Sequence, residues 1–292
     1  MTPVPTPEPP VTTRRAPFQP ALQAAVYILL TVAPVWLFSW VFIFVFNQFA
    51  GSVLAVLTAA LFANFFCFRA FDGVGLERLG LPWNRPGLTN SSRGVALGFG
   101  AAALVIAVPL ITGHAHEVVS KVPVTWQEQL FVPFMLVLGA AGEEILFRGF
   151  GFQVLLRGFG PFTAVLPIGA LFGFMHGANP YSTIPAILNT IGFGILFGYA
   201  FVRSHDIWFP LGLHYGWNLT LLLFGANISG LTMRITTYEV AWDNSAFWSG
   251  GAYGPEASFF TTAALLILTV AVWKVRVVRQ DAYLVDDARR GE

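Results

Sequence analysis

LFVPFMLVLGAAGEEILFRGFGFQVLL, residues 130–156, is the stretch on which the reading of this chain turns. It is apolar on both flanks and long enough to cross a bilayer, which takes about 17 to 25 residues of helix. Yet Glu143, Glu144 and Arg148 sit in its middle. A charged side chain at the bilayer centre costs at least about 2.5–3.5 kcal/mol on insertion scales, so each needs a reason to be there. Glu144 and Arg148 are four apart and share a helical face, where an ion pair neutralises both and gives the two residues a structural role. Glu143 is turned about 100° from its neighbour. It has no partner within its own helix, and an unpaired carboxylate in apolar surroundings is a natural general base.

Similar apolar runs recur outward from this stretch. The span rule predicts about eight membrane helices, at 21–46, 52–68, 94–112, 130–156, 162–176, 184–201, 207–224 and 257–275, and hence an all-α polytopic bundle. The composition agrees: 55% of residues are hydrophobic and 11% charged, against roughly one-quarter charged in soluble domains. A net charge of +1 gives no basic footprint for nucleic acid. The single cysteine, Cys67, supports neither an intrachain disulfide nor a cysteine-based zinc site. The expected organisation is a proline- and threonine-rich disordered tail at 1–20, with an apolar run that begins near Ala21 and is too long for a signal peptide, then N-terminal helices and loops over 21–128. A catalytic core over 129–224, an outer loop at 225–256 and a last helix with a basic tail at 257–292 follow.

Lysine and arginine set the orientation. With the first tail inside, Arg14, Arg15, Arg69, Arg78, Arg85, Arg93, Arg148, Arg157, Arg203, Lys274, Arg276, Arg279, Arg289 and Arg290 fall on the inner side, and Lys121 and Arg234 outside. Both termini of this multi-pass chain are therefore expected in the cytoplasm of the cell whose membrane holds it.

Two histidines lie in apolar sequence, His176 at the end of the fifth run and His214 in the seventh, and Asn218 shares a helical face with His214. At 1.5 Å rise per residue, Glu143 and His176 lie at similar depth. A carboxylate, two imidazoles and an amide inside a membrane suit water activation and oxyanion stabilisation. Glu143, helped by His176, would deprotonate water, and His214 with Asn218 would hold the oxyanion. Equally, Glu143, His176 and His214 could supply three ligands to a divalent metal such as zinc, with an open water position. The residues leave both routes open.

Three motifs in order, Glu143-Glu144 with Arg148 (EExxxR), Phe172 with His176 (FxxxH) and His214 with Asn218 (HxxxN), give the chain a resemblance to the CPBP intramembrane proteases. That family includes the CAAX prenyl endopeptidases of the Rce1 type and the bacterial Abi proteins. The resemblance covers about residues 130–223. It implies an eight-helix fold, a catalytic first glutamate and a cavity open toward the cytoplasmic side, and its common label of metalloprotease leaves metal dependence disputed. The substrate it implies is a membrane-associated or lipid-anchored peptide or protein at the bilayer.

Other readings compete. A buried acid with histidines also suits a proton- or cation-coupled transporter, and a catalytically silent membrane scaffold is the third possibility. His116-Glu117 opens like the zinc motif HExxH, but Ser120 replaces the second histidine. His114 and His205 are expected to be solvated loop residues. Gly169, Gly173 and Gly177, with Gly194 and Gly198, should let helices approach closely. Oligomeric state is not legible in these residues.

Overall fold

A computed structural model describes residues 18–242, 245–280 and 282. Most of the expected tail lies outside them, as do Arg14, Arg15, Arg289 and Arg290. The described chain is a bundle of α-helices: α1 (Gln19–Val45), α2 (Gln48–Cys67), α3 (Arg85–Ile111), α4 (Trp126–Arg148), α5 (Phe150–Phe159), α6 (Pro161–His176), α7 (Ile184–Ser204), α8 (Trp208–Leu223), the single turn α9 (Ala246–Ser249) and α10 (Phe259–Lys274). Each expected helix has a counterpart. Five segments are long and apolar enough to cross a membrane, Gln19–Val45, Gln48–Asp72, Arg85–Ile111, Trp126–Phe159 and Ile184–Ser204, and shorter apolar helices accompany them. This is a membrane protein.

The differences from expectation have local causes. Helix α3 starts at Arg85 rather than at 94, because the Asn84 side chain accepts from the Gly87 N–H and starts the helix ahead of its apolar part. The fourth run is interrupted at Gly149, not at its charges: the backbone turns extended there (φ −72°, ψ −151°) and α5 begins at Phe150. Inside a membrane the backbone groups freed by such a break need protein partners. Asn64 of α2 accepts from Phe150 N–H at 2.6 Å and donates to the Ile145 carbonyl at 3.2 Å. The Tyr27 hydroxyl of α1 donates to the Leu146 carbonyl at 2.8 Å and accepts from Asn64 at 3.0 Å. Glycine is required at the break, since a Cβ at position 149 would stand 2.2 Å from Asn64 Oδ1 and 2.4 Å from the Ile145 carbonyl oxygen.

Two glycine seams set the inner packing. At Gly169 and Gly173 of α6 an added Cβ would come within 2.7 Å of backbone nitrogens of α7, so these helices touch backbone to backbone. Helix α8 meets α3 in the same way, through Gly212 and Gly216 against Gly94 and Gly98.

The all-α expectation gains one small sheet. Strands β1 (Ala115–Val119) and β2 (Tyr238–Trp242) pair antiparallel, Ala115 opposite Trp242 and Val119 opposite Tyr238. His116 and Glu117 are therefore on a strand, not a helix. After α10 the chain returns along the bundle end: Asn90 donates to the Val278 carbonyl and accepts from its N–H, at 2.7 and 2.9 Å. There His205 is buried against Arg279, 2.6 Å between nitrogens, where a solvated histidine was expected.

Candidate active site

Helix α4 continues unbroken through its charged segment, and its two acids diverge as the helical repeat requires. Glu144 is fully buried, with Oε2 3.1 Å from the guanidinium of Arg148, itself fully buried. The ion pair is present. Arg148 also donates to the Gly194 carbonyl at 2.9 Å, and its guanidinium lies 5.4 Å from the Phe172 ring and 5.5 Å from that of Phe197. The second oxygen of Glu144 has another partner, which helical spacing could not reveal: Oε1 is 3.0 Å from Nδ1 of His214 on α8. With a carboxylate accepting at Nδ1, that nitrogen carries the hydrogen and Nε2 is turned toward the site.

Glu143 is half-buried, its side chain 31% exposed. Its Oε2 lies 3.8 Å from His176 Nε2 and 3.9 Å from His214 Nε2. Among the described residues this buried oxygen accepts no hydrogen bond. His176 ends α6, and its Nδ1 is 2.8 Å from the Phe172 carbonyl one turn earlier, which fixes the ring with Nε2 toward Glu143. The imidazole of His214 stacks on Phe197, centroids 5.0 Å apart and planes 17° apart. Both histidines are thus held from behind and face one carboxylate oxygen.

A cavity of about 20 Å³ adjoins them, lined by His176, His214 and Asn218 together with Thr190, Ser229 and Glu256 and walled by aromatic rings. It is large enough for one water molecule. The structure therefore gathers Glu143, His176, His214 and Asn218 in one place, with Glu144 and Arg148 directly behind. Among the described residues no group of three or more His, Cys, Asp and Glu side chains has the geometry to hold a metal ion. Glu143 Oε2 stands 3.8 and 3.9 Å from the two imidazole nitrogens, and these three groups are not arranged as a preformed metal site.

A second, larger cavity of about 810 Å³ lies between α1, α4, α5 and α6 and is lined almost wholly by aliphatic and aromatic side chains. It contains none of the acids or histidines. Its wall includes Phe147 and Met175, which adjoin Arg148 and His176 in the chain.

Sequence reasoning missed Tyr27, Asn64, Ser229 and Glu256. Asn64 carried a signal, a lone amide in an apolar run, whereas Ser229 and Glu256 lie in the loop to which no role was given.

Comparisons with known proteins bear on the class of the chain. Residues 125–220 match the family model described as type II CAAX prenyl endopeptidase Rce1-like. All six charged or polar motif residues fall inside it. The chain is 29% identical over 202 residues to the uncharacterized protein YyaK of Bacillus subtilis (strain 168), an alignment covering 62% of this chain and 62% of that protein. The match thus spans about three-fifths of that curated relative. No solved structure matches the chain.

Proposed function

We propose that this protein is a CAAX-type intramembrane endopeptidase that hydrolyses a peptide bond in a membrane-associated or lipid-anchored substrate. The observation that carries the reading is the lone Glu143 Oε2 between two imidazole nitrogens at 3.8 and 3.9 Å, each ring oriented from behind. Those distances are too long for direct hydrogen bonds and leave room for water beside a carboxylate base. Glu143, with His176 Nε2 accepting a second hydrogen bond, takes a proton from water, and the hydroxide attacks the scissile carbonyl carbon. His214 holds its Nδ1 hydrogen on Glu144, so it can donate from Nε2 only as the imidazolium. In that form it stabilises the tetrahedral oxyanion together with the Asn218 amide. Glu143 then returns the proton to the amide nitrogen, the C–N bond breaks, and the products are a carboxylate and an amine. No step runs through a metal.

The match to an Rce1-like domain supports the protease class. The 810 Å³ apolar cavity beside Phe147 and Met175 supports a substrate whose flanking part is lipid-like or apolar. The distribution of lysine and arginine supports eight crossings with both termini cytoplasmic.

The test is turnover of a membrane-peptide library by purified wild type and Glu143→Gln, with bound metal measured by mass spectrometry in both. Cleavage by the wild type, its loss in the variant, and no stoichiometric metal are expected. Unimpaired cleavage by a folded Glu143→Gln would end the proposal, and stoichiometric zinc would replace the glutamate–histidine route with the metal one.

A further inference from the structure

We infer that Glu256, anchored with Ser229, is a positioning residue of this site: it holds the α8 face bearing His214 and Asn218 and fixes a water in the cavity they share. This rests on the proposed function for its catalytic consequence but not for its geometry. Both residues lie beyond the segment 125–220 that matches the family model.

Glu256 is a carboxylate in the short turn Pro255–Ala257 that leads into α10, and it is only 7% exposed. Its Oε1 accepts from the indole N–H of Trp217 at 3.1 Å, and its Oε2 accepts from the Ser229 hydroxyl at 3.0 Å and from the Ser229 N–H. Its carbonyl accepts from Asn189 of α7 at 2.8 Å. The carboxylate is thus held by three donors, a costly arrangement to build into an interior unless its position matters. Trp217 is the residue before Asn218 and one turn beyond His214, and it is wedged against Phe193 with ring centroids 4.6 Å apart. Fixing the indole therefore fixes the turn of α8 that carries both groups.

The backbone around Ser229 points the same way. Ser229 and Gly230 both have positive φ, 50° and 82°, between Ile228 and Leu231, which exchange two backbone hydrogen bonds. Such a turn favours Asn-Gly, and a serine at its first position is strained. The serine is held there because its N–H and its hydroxyl both reach Glu256. A Cβ on Gly230 would meet the Pro180 carbonyl at 2.0 Å, so the turn is pressed onto the connection that follows His176. Glu256 and Ser229 accordingly line the same cavity of about 20 Å³ as His176, His214 and Asn218. A water there has several polar groups in its lining to bond, as an ordered buried water requires.

The test uses the full-length protein and three variants, Glu256→Gln, Glu256→Asp and Ser229→Ala. Two readings are taken: kcat and KM on a cleaved membrane peptide, and the imidazole ¹⁵N resonances of His214 and His176, with His116 on β1 as an internal reference. Expected are a fall in kcat of roughly 10- to 100-fold in Glu256→Gln with KM within about twofold, partial recovery in Glu256→Asp, and a shifted His214 signal with His116 unmoved. The nitrogen resonances report on positioning even if the wild type cleaves nothing, so failure of the protease reading and failure of this one are separate results. Wild-type His214 resonances in both Glu256→Gln and Ser229→Ala, at unchanged thermal stability, would overturn the inference. Equal loss of stability in all three variants with kcat and His214 unaltered in the folded fraction would reduce Glu256 to a packing residue and overturn it too.

Discussion

Glu144 has two partners, and separating them tests whether it serves stability, catalysis or both. In Glu144→Met the Arg148 guanidinium, fully buried and 3.1 Å from the lost carboxylate, is left without its counter-charge. Breaking a buried pair from one side costs about 3–5 kcal/mol. The double variant Glu144→Met/Arg148→Met removes both charges and replaces them with apolar chains of similar length, a change that is often neutral or better. Stability, read by unfolding in detergent, should therefore collapse in the single variant and largely return in the double one. Activity should not return, because His214 Nδ1 still lacks the carboxylate 3.0 Å behind it. Loss of the analogous aspartate behind a catalytic histidine lowers kcat about 10,000-fold in serine proteases, and a fall of roughly 1,000-fold or more is expected here by the same argument. The assay is peptide cleavage by equal amounts of folded protein. A double variant that regains stability and cleaves within threefold of wild type would refute the idea that Glu144 orients His214 and leave it only the ion pair.

Asn64→Ala removes the acceptor of Phe150 N–H and a donor to the Ile145 carbonyl; a loss of about 2–4 kcal/mol is expected from unsatisfied buried groups, checked by unfolding. Met175→Trp narrows the 810 Å³ apolar cavity where it nears the site, so KM for a lipid-anchored peptide should rise several-fold while kcat for a short peptide stays within about twofold. Asp206, in the connection between α7 and α8, has its carboxyl raised to about 6 by burial, against the opposing hydrogen bond from Asn90. A folded-state value above the unfolded 3.8 means the folded protein binds the extra proton, so this group's contribution to stability falls as pH rises from about 4 to about 6. Wild type should lose about 1–2 kcal/mol between pH 5 and 7 from this source, and Asp206→Asn should remove that slope in a pH series of unfolding curves.

The helices were legible because long apolar runs have few alternatives. Their edges were less so: the span rule sees only apolar residues and passed over the polar start of α3, which Asn84 caps. The break at Gly149 was hidden because its cause lies in other helices, in Tyr27 and Asn64. The pairing of β1 with β2 joins segments more than a hundred residues apart, each too short and irregular to announce itself. In the site, buried charge drew attention to Glu143, Glu144, Arg148, His176 and His214, since such residues in apolar sequence are costly. The contact of Glu144 with His214 was not readable, because i,i+4 spacing accounted for Glu144 completely and gave no reason to look further. Glu256 sits in a long connection where an acid is unremarkable until the fold buries it.

The clamp at Gly149 also bears on the order in which the protein is made. Helices α1 and α2 emerge from the ribosome well before α4. In the fold, the Asn64 amide nitrogen donates to the Tyr27 hydroxyl and the Ala60 carbonyl, at 3.0 and 2.8 Å, both within this first pair of helices. The first pair of helices thus enters lipid with part of its polar groups satisfied internally, and it offers a newly inserted α4–α5 segment three docking points, the Phe150 N–H and the Ile145 and Leu146 carbonyls. Capture there sets the height and rotation of the acidic turn before α6 and α8 deliver their histidines, so the nascent chain carries its own assembly jig.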